Sequence, residues 1–275
     1  MLELFQFVFM QRAFIAGILI AILCAIIGLF IVLRRMALLG DGLAHISFGG
    51  IAAGMLFGIN NLISALIFSI LGAVGIQKLK KMKVYSDSAI AIFFSFGLAL
   101  GVILVSLSRG FNADLMSYLF GSILSVSTSD IIIILIAGFA VLLTIFLFYK
   151  ELFYITFDEV SAKASGIKVE RINTLLIILT AIIVVLSMRI VGILLVSSLL
   201  VIPASTALMF KRSFKQTIVI STIISVLAVI IGLISAYYLN LAAGGAIVMI
   251  LILTFFTLLL FFAGRNEYKT RLVEK

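Results

Sequence analysis

Cysteine is almost missing from this chain. With Cys24 alone in 275 residues, no disulfide can close within one molecule and no thiolate cluster can hold a soft metal. Tryptophan is absent, proline occurs only as Pro203, and histidine only as His45. Charge is scarce as well: 11% of residues are charged against 64% hydrophobic. A soluble protein of this length needs more polar surface than that. Alternating segments of about ten residues, the mark of a membrane barrel, are also missing. What is present is a series of long apolar runs, with mean hydropathy +1.39, which makes the chain an all-α integral membrane protein.

The small charged complement is lopsided, with 20 Lys and Arg against 11 Asp and Glu and a net charge of +9. No basic domain stands outside the apolar runs to meet nucleic acid, so the excess reports orientation and contact with membrane lipid. Apolar runs place candidate spans near 13–33, 37–57, 62–77, 88–107, 130–149, 172–188, 190–210, 217–238 and 244–263. The expected architecture is a polytopic bundle of eight or nine transmembrane helices, eight if one short segment is re-entrant. With nine crossings, Arg34, Arg35, Lys78, Lys80, Lys81, Lys83, Lys150, Lys163, Lys168, Arg171, Lys211, Arg212, Lys215 and the tail from Arg265 to Lys275 share one side. Only Arg12, Arg109 and Arg189 fall on the other. The positive-inside rule then puts the C-terminus in the cytoplasm and the N-terminus outside. Residues 1–12 carry no cleavable signal pattern, since Glu3 stands where basic residues belong. No soluble domain interrupts the pattern, so residues 1–275 read as a single transmembrane domain. The outer stretch near 108–129 has the composition of a short interfacial or re-entrant helix.

Asp41 and His45 stand out within that apolar pattern. Four residues apart, they share one face of a helix. His45 lies ten residues past Arg35, which in unbroken helix is about 15 Å, close to the middle of a hydrocarbon core about 30 Å thick. At that depth an ionisable pair must face protein or a water-filled path. It reads either as a contact for a transported cation or as a structural pair or proton relay. Two ligands per chain are too few for tight binding, whereas two chains would supply a four-ligand nitrogen and oxygen set suited to zinc or manganese. Gly40, Gly42, Gly49, Gly50 and Gly54 around the pair permit close helix approach. A hydrolase reading, with His45 activating Ser47, is poor, because residues two apart point to different helical faces.

On the basic side, 156–166 reads as a short amphipathic helix, with Asp158 or Thr156 as N-cap, Glu159 at its positive start and Gly166 in a left-handed C-terminal turn. Pro203 bends its span.

Three segments carry a resemblance to a known family: Leu33-Arg34-Arg35-Met36-Ala37-Leu38-Leu39-Gly40-Asp41-Gly42-Leu43-Ala44-His45, the Asp158, Ala162 and Gly166 spacing, and Ser187 to Val196 running on to Ile202-Pro203-Ala204-Ser205-Thr206-Ala207. In these the chain resembles the membrane permease subunit of bacterial ABC importers for zinc, manganese and related divalent cations. The resemblance implies a homodimer in the bacterial plasma membrane, cytoplasmic ATP-binding subunits and an extracytoplasmic metal-binding protein. It implies that Zn2+ or Mn2+ passes Asp41 and His45 as cargo, with no permanently bound cofactor. It also implies a cytoplasmic coupling helix in which Asp158, Glu159, Ala162 and Gly166 meet the ATPase. The chain has no phosphate-cradling loop of its own, so it is not expected to be an enzyme, and ATP belongs on a partner subunit. It departs from the family at Leu241-Ala242-Ala243-Gly244-Gly245, where Pro and Ser commonly precede Gly. The alternatives are an ABC permease for a metal chelate such as a siderophore and a proton-coupled secondary metal carrier.

Overall fold

A computed structural model of the chain describes the backbone of residues 6–108, 113–122 and 127–273 and the side chains of residues 6–108, 115–122 and 127–263. Arg109 and Asn112 lie outside the described residues, as do Lys275 and the side chains of Arg265, Lys269 and Arg271. Twelve helices follow one another: α1 Val8–Leu33, α2 Leu39–Phe57, α3 Asn61–Lys81, α4 Ser86–Leu107, α5 Ala113–Phe120, α6 Thr128–Leu147, α7 Tyr149–Phe157, α8 Glu159–Ala164, α9 Val169–Val191, α10 Val196–Leu208, α11 Phe214–Leu239 and α12 Ala243–Val273. No strand occurs among the described residues.

The all-α membrane bundle is as expected, but the count of spans differs. Among the described residues seven helices, namely α1, α3, α4, α6, α9, α11 and α12 (through Ala263), are long and apolar enough to cross a membrane, against the eight or nine expected. The two remaining candidates fall short for different reasons. Helix α2 has 19 residues, but Asp41, His45 and its glycines dilute its hydropathy. Helix α10 has 13 residues, about 20 Å of rise, less than a hydrocarbon core.

Two groups of helices sandwich α9. On one side α2 packs against α3 and α4; on the other α1 packs against α10 and α11, with α12 on α11. Among those seven helices α1 and α9 are the most buried. By contrast α4, α6 and α12 turn rows of large apolar side chains outward, among them Ile92, Phe96, Ile132, Phe139, Leu253 and Phe261. Helices apolar on every side are the membrane form, since their outer face meets hydrocarbon or another subunit rather than water.

Close approach sets the packing. A Cβ at Gly28 of α1 would stand 2.0 Å from the carbonyl oxygen of Leu200 in α10. At the end away from the basic loops, three glycines converge: a Cβ on Gly121 would meet the Ile190 carbonyl at 2.2 Å, on Gly192 the Leu119 carbonyl at 2.5 Å, and on Gly244 the Val191 carbonyl at 1.8 Å. Gly192 also has φ +87, so it serves both the turn and the contact. The backbone of Ile193 donates to Tyr118 (2.8 Å) and that of Ser122 to Arg189 (3.1 Å), sealing α5 onto the end of α9. Arg189 itself pairs with Asp130 (3.5 Å) and lies over the Tyr118 ring (4.5 Å).

Cys24 is fully buried in α1, so its reaction with a thiol-specific fluorophore reports unfolding. On that readout Gly28→Ala is expected to melt at lower temperature, by about 1–3 kcal/mol of overpacking. Gly245→Ala, whose added Cβ meets nothing within 4 Å, is expected to show no loss.

Candidate functional site

Helix α2 runs unbroken through Asp41 and His45, so the two side chains lie one turn apart on one face. Both are half-buried, while residues 42–44 and 46–50 between and beyond them are buried. The pair therefore occupies the one stripe of this end of α2 that its neighbours leave open. No hydrogen bond joins Asp41 to His45 among the described residues. The imidazole ring of His45 packs on Phe94 of α4, with centroids 4.2 Å apart, and its Nδ1 is buried without a hydrogen-bond partner. A packed structural pair would satisfy that nitrogen; here it has no hydrogen-bond partner.

The depth of the pair follows from the helices around it. A Cβ on Gly97 of α4 would meet Ile46 Cα at 2.5 Å and the His45 carbonyl carbon at 2.7 Å, and one on Gly72 of α3 would meet the Ile46 side chain at 2.6 Å. Gly72 is nine residues from the end of α3 and Gly97 eleven from the start of α4, so His45 lies about 14–17 Å from the basic ends of both helices. The sequence estimate of about 15 Å assumes unbroken helix from Arg35. Helix does not continue from Arg35: Arg35 has φ +56, the 34–38 turn carries the chain inward, and α2 starts at Leu39, already recessed.

Glycines clamp α2 on three sides. Gly40 faces Ser197 and Leu200 of α10, Gly42 and Gly49 face Ile90 and Gly97 of α4, and Gly50 and Gly54 face Ala65 and Asn61 of α3. Side chains there would push α2 away and open the polar pair to hydrocarbon. Ser47 plays no part in the pair: its hydroxyl donates to the Leu43 carbonyl of its own helix (2.7 Å). Among the described residues no group of three or more His, Cys, Asp and Glu side chains gathers in this chain, so Asp41 and His45 have no third such side chain beside them.

The second cluster is at the basic end. Asp158 caps α8, accepting from the Ser161 amide (2.9 Å) and from its hydroxyl. These bonds hold the Asp158 carboxyl below its ordinary range. At the other end, Gly166 has φ +84, and the amides of Gly166 and Ile167 donate to Lys163 and Ala162 (3.1 Å each), a Schellman closure that favours glycine. Ala162 is fully buried and seats α8 on this chain, whereas Val160 is 81% exposed. Glu159, half exposed, receives Arg34 at 2.7 Å. Arg34 is nearly buried and also donates to Asn173 of α9, whose amide in turn donates to Glu159 (3.4 Å). Burial lowers the pKa of the Arg34 guanidinium, and the Glu159 carboxylate offsets only part of that shift. Preceding α8, Phe153 and Phe157 of α7 stack around Phe214 of α11, with centroids 5.0 and 5.8 Å away, and Phe214 also meets Phe30 of α1 at 5.2 Å.

Sequence reasoning missed Phe94, Asn173 and Val160. A lone Asn or Phe in an apolar helix carries no signal of its own, but Val160 is an apolar residue in the most polar loop, which is a legible hint.

Comparison with known proteins gives a consistent picture. The profile of the ABC 3 transport family matches residues 6–262. The chain is 39% identical over 241 residues to the manganese import system permease protein ScaB of Streptococcus gordonii, covering 87% of this chain and 86% of that one. It is 37% identical over 241 residues to the manganese transport system membrane protein MntC of Listeria monocytogenes, with the same coverage. Among solved structures, PsaBC from Streptococcus pneumoniae in complex with Fab superposes with TM-score 0.84 at 37% identity, over 93% of this chain and 92% of that one. An inward-facing metal-chelate type ABC transporter superposes with TM-score 0.71 at 16% identity, over 91% and 85%; that likeness concerns the fold alone.

Because the Asp158 pKa is depressed in the folded chain, its cap is complete at neutral pH and is lost only as pH falls through the lowered value, below about pH 4. Amide exchange over 159–164 is expected to stay slow from pH 8 to pH 5, and to quicken at neutral pH in Asp158→Ala.

Proposed function

The chain belongs to the ABC 3 transport family, as a permease subunit and not an enzyme, and from that membership we propose that it carries manganese across the membrane past Asp41 and His45. The observation that supports this reading is the open stripe on α2: a carboxylate and an imidazole one turn apart, half-buried about half-way along the bundle, with Nδ1 of His45 unpartnered. In this reading residues 1–275 form one transmembrane domain, the basic loops and C-terminus are cytoplasmic, the N-terminus is outside, and the protein sits in the bacterial plasma membrane. Two copies face each other so that two carboxylates and two imidazoles surround the ion, a set that zinc also suits. Four hard and borderline ligands shared between subunits bind while the subunits are close and release when they part, which is what alternating access needs. ATP is hydrolysed on separate cytoplasmic subunits, and an extracytoplasmic metal-binding protein delivers the ion.

Coupling runs through α8. Asp158 and Gly166 fix its two ends, Ala162 seats it, and Val160 and Phe157 are its exposed apolar contacts for the ATPase. A chelate as cargo draws no support from these residues, since it calls for a wide cavity rather than an acid and imidazole pair.

In proteoliposomes holding the complete transporter, ATP-dependent manganese uptake is expected to fall at least tenfold in Asp41→Ala and His45→Ala, with assembly and Cys24 protection unchanged. Uptake at the wild-type rate in both variants would remove the site. Uptake persisting without the ATPase would point instead to a secondary carrier, and competition by a siderophore complex but not by free zinc would point to a chelate.

A further inference from the structure

Three separate parts of the chain meet at one guanidinium. Arg34, in the turn between α1 and α2, has a side chain only 8% exposed, and it donates from one nitrogen to Glu159 Oε2 at 2.7 Å and from the other to Asn173 Oδ1. Asn173 closes the triangle by donating to Glu159 Oε1 at 3.4 Å. Glu159 is the first residue of α8, and Asn173 lies in the second turn of α9. A planar fork with two fixed acceptors holds direction as well as distance, which a lysine cannot do.

The other end of this contact is the start of α2. Only four residues separate Arg34 from Leu39, and they form a tight turn in which Arg35 donates to Val32, Met36 to Ile31 and Leu39 to Met36, each at 3.0 Å. Met36 is buried, with the Lys80 ammonium 3.8 Å from its sulfur. Asp41 follows two residues into α2. A movement of α8 therefore reaches Asp41 through one ion pair and one hydrogen-bonded turn, with no flexible segment between. Glu159 is half exposed while Arg34 is enclosed, so a force applied to α8 from outside arrives at a charge that cannot find another partner in water.

We propose that Arg34 is the positioning residue that ties the coupling helix α8 to the metal-bearing helix α2, so that displacement of Glu159 moves Asp41 and His45. The inference rests on the transport reading above and deepens it. A second pair on the same side makes a control: Lys81 and Glu170 also join two helices, α3 and α9, at 2.7 Å, but both are at least half exposed and water can replace either partner.

The test uses the complete transporter in proteoliposomes with its ATPase and binding protein, and reads radiolabelled manganese taken up per ATP hydrolysed. Wild-type uptake has to be present first; its absence overturns the transport reading and this inference with it. Given that uptake, Arg34→Met is expected to keep hydrolysing ATP while uptake per ATP drops at least tenfold, and Arg34→Lys, which keeps charge but loses the fork, is expected to fall between. Lys81→Met is expected to match wild type. An unchanged ratio in Arg34→Met, or uptake and hydrolysis declining in equal proportion, overturns the inference and leaves the manganese site standing. Should Arg34→Met fail to assemble, Arg34→Lys decides alone, and an unchanged ratio in that variant overturns the inference.

Discussion

A carboxyl group and an imidazole in the middle of an apolar bundle are tolerated only where protein, and not hydrocarbon, surrounds them. Nearly every unusual feature of α2 answers that constraint. Its glycines bring α3, α4 and α10 to backbone distance, so the helix that carries the polar pair is tightly enclosed by its neighbours. The pair is left facing the single stripe those neighbours do not cover.

The same neighbours lead to the basic end of the bundle. There α8 and the α7 helix before it are tethered in two directions by two kinds of physics: a charge-assisted fork from Arg34 to Glu159 and Asn173, and an aromatic cluster in which Phe153 and Phe157 meet Phe214, which in turn meets Phe30. The fork is directional and leads to α2, whereas the ring contacts are apolar and lead to α1 and α11. At the opposite end, Gly121, Gly192 and Gly244 bring three backbone segments into contact. The departure of this chain at Leu241 to Gly245 still places a glycine where the Val191 carbonyl leaves no room for a side chain.

Much of this was legible in the residues. Hydropathy alone identified the helical membrane class, and the i, i+4 spacing of Asp41 and His45 put them on one face. Gly166 and Asp158 carried their own turn and cap chemistry. Three things were not legible, each for a physical reason. Among the described residues seven helices, against the eight or nine expected, are long and apolar enough to span, because run length does not show that α10 is only 13 residues of helix or that the polar pair lowers the hydropathy of α2. The left-handed Arg35 in the turn between α1 and α2 is a non-glycine exception to turn preferences. The partners of His45 and Arg34, namely Phe94, Glu159 and Asn173, come from distant segments, and such contacts exist only once the chain is packed.

Anomalous diffraction from crystals of the assembled transporter saturated with manganese tests whether Asp41 and His45, completed by a second copy of the chain, form the proposed manganese contact. The expected result is one anomalous peak on the axis between two facing copies, within coordination distance of both Asp41 carboxylates and both His45 rings. A manganese peak elsewhere within the membrane-spanning helices, with Asp41 and His45 free of metal in both copies, would contradict it.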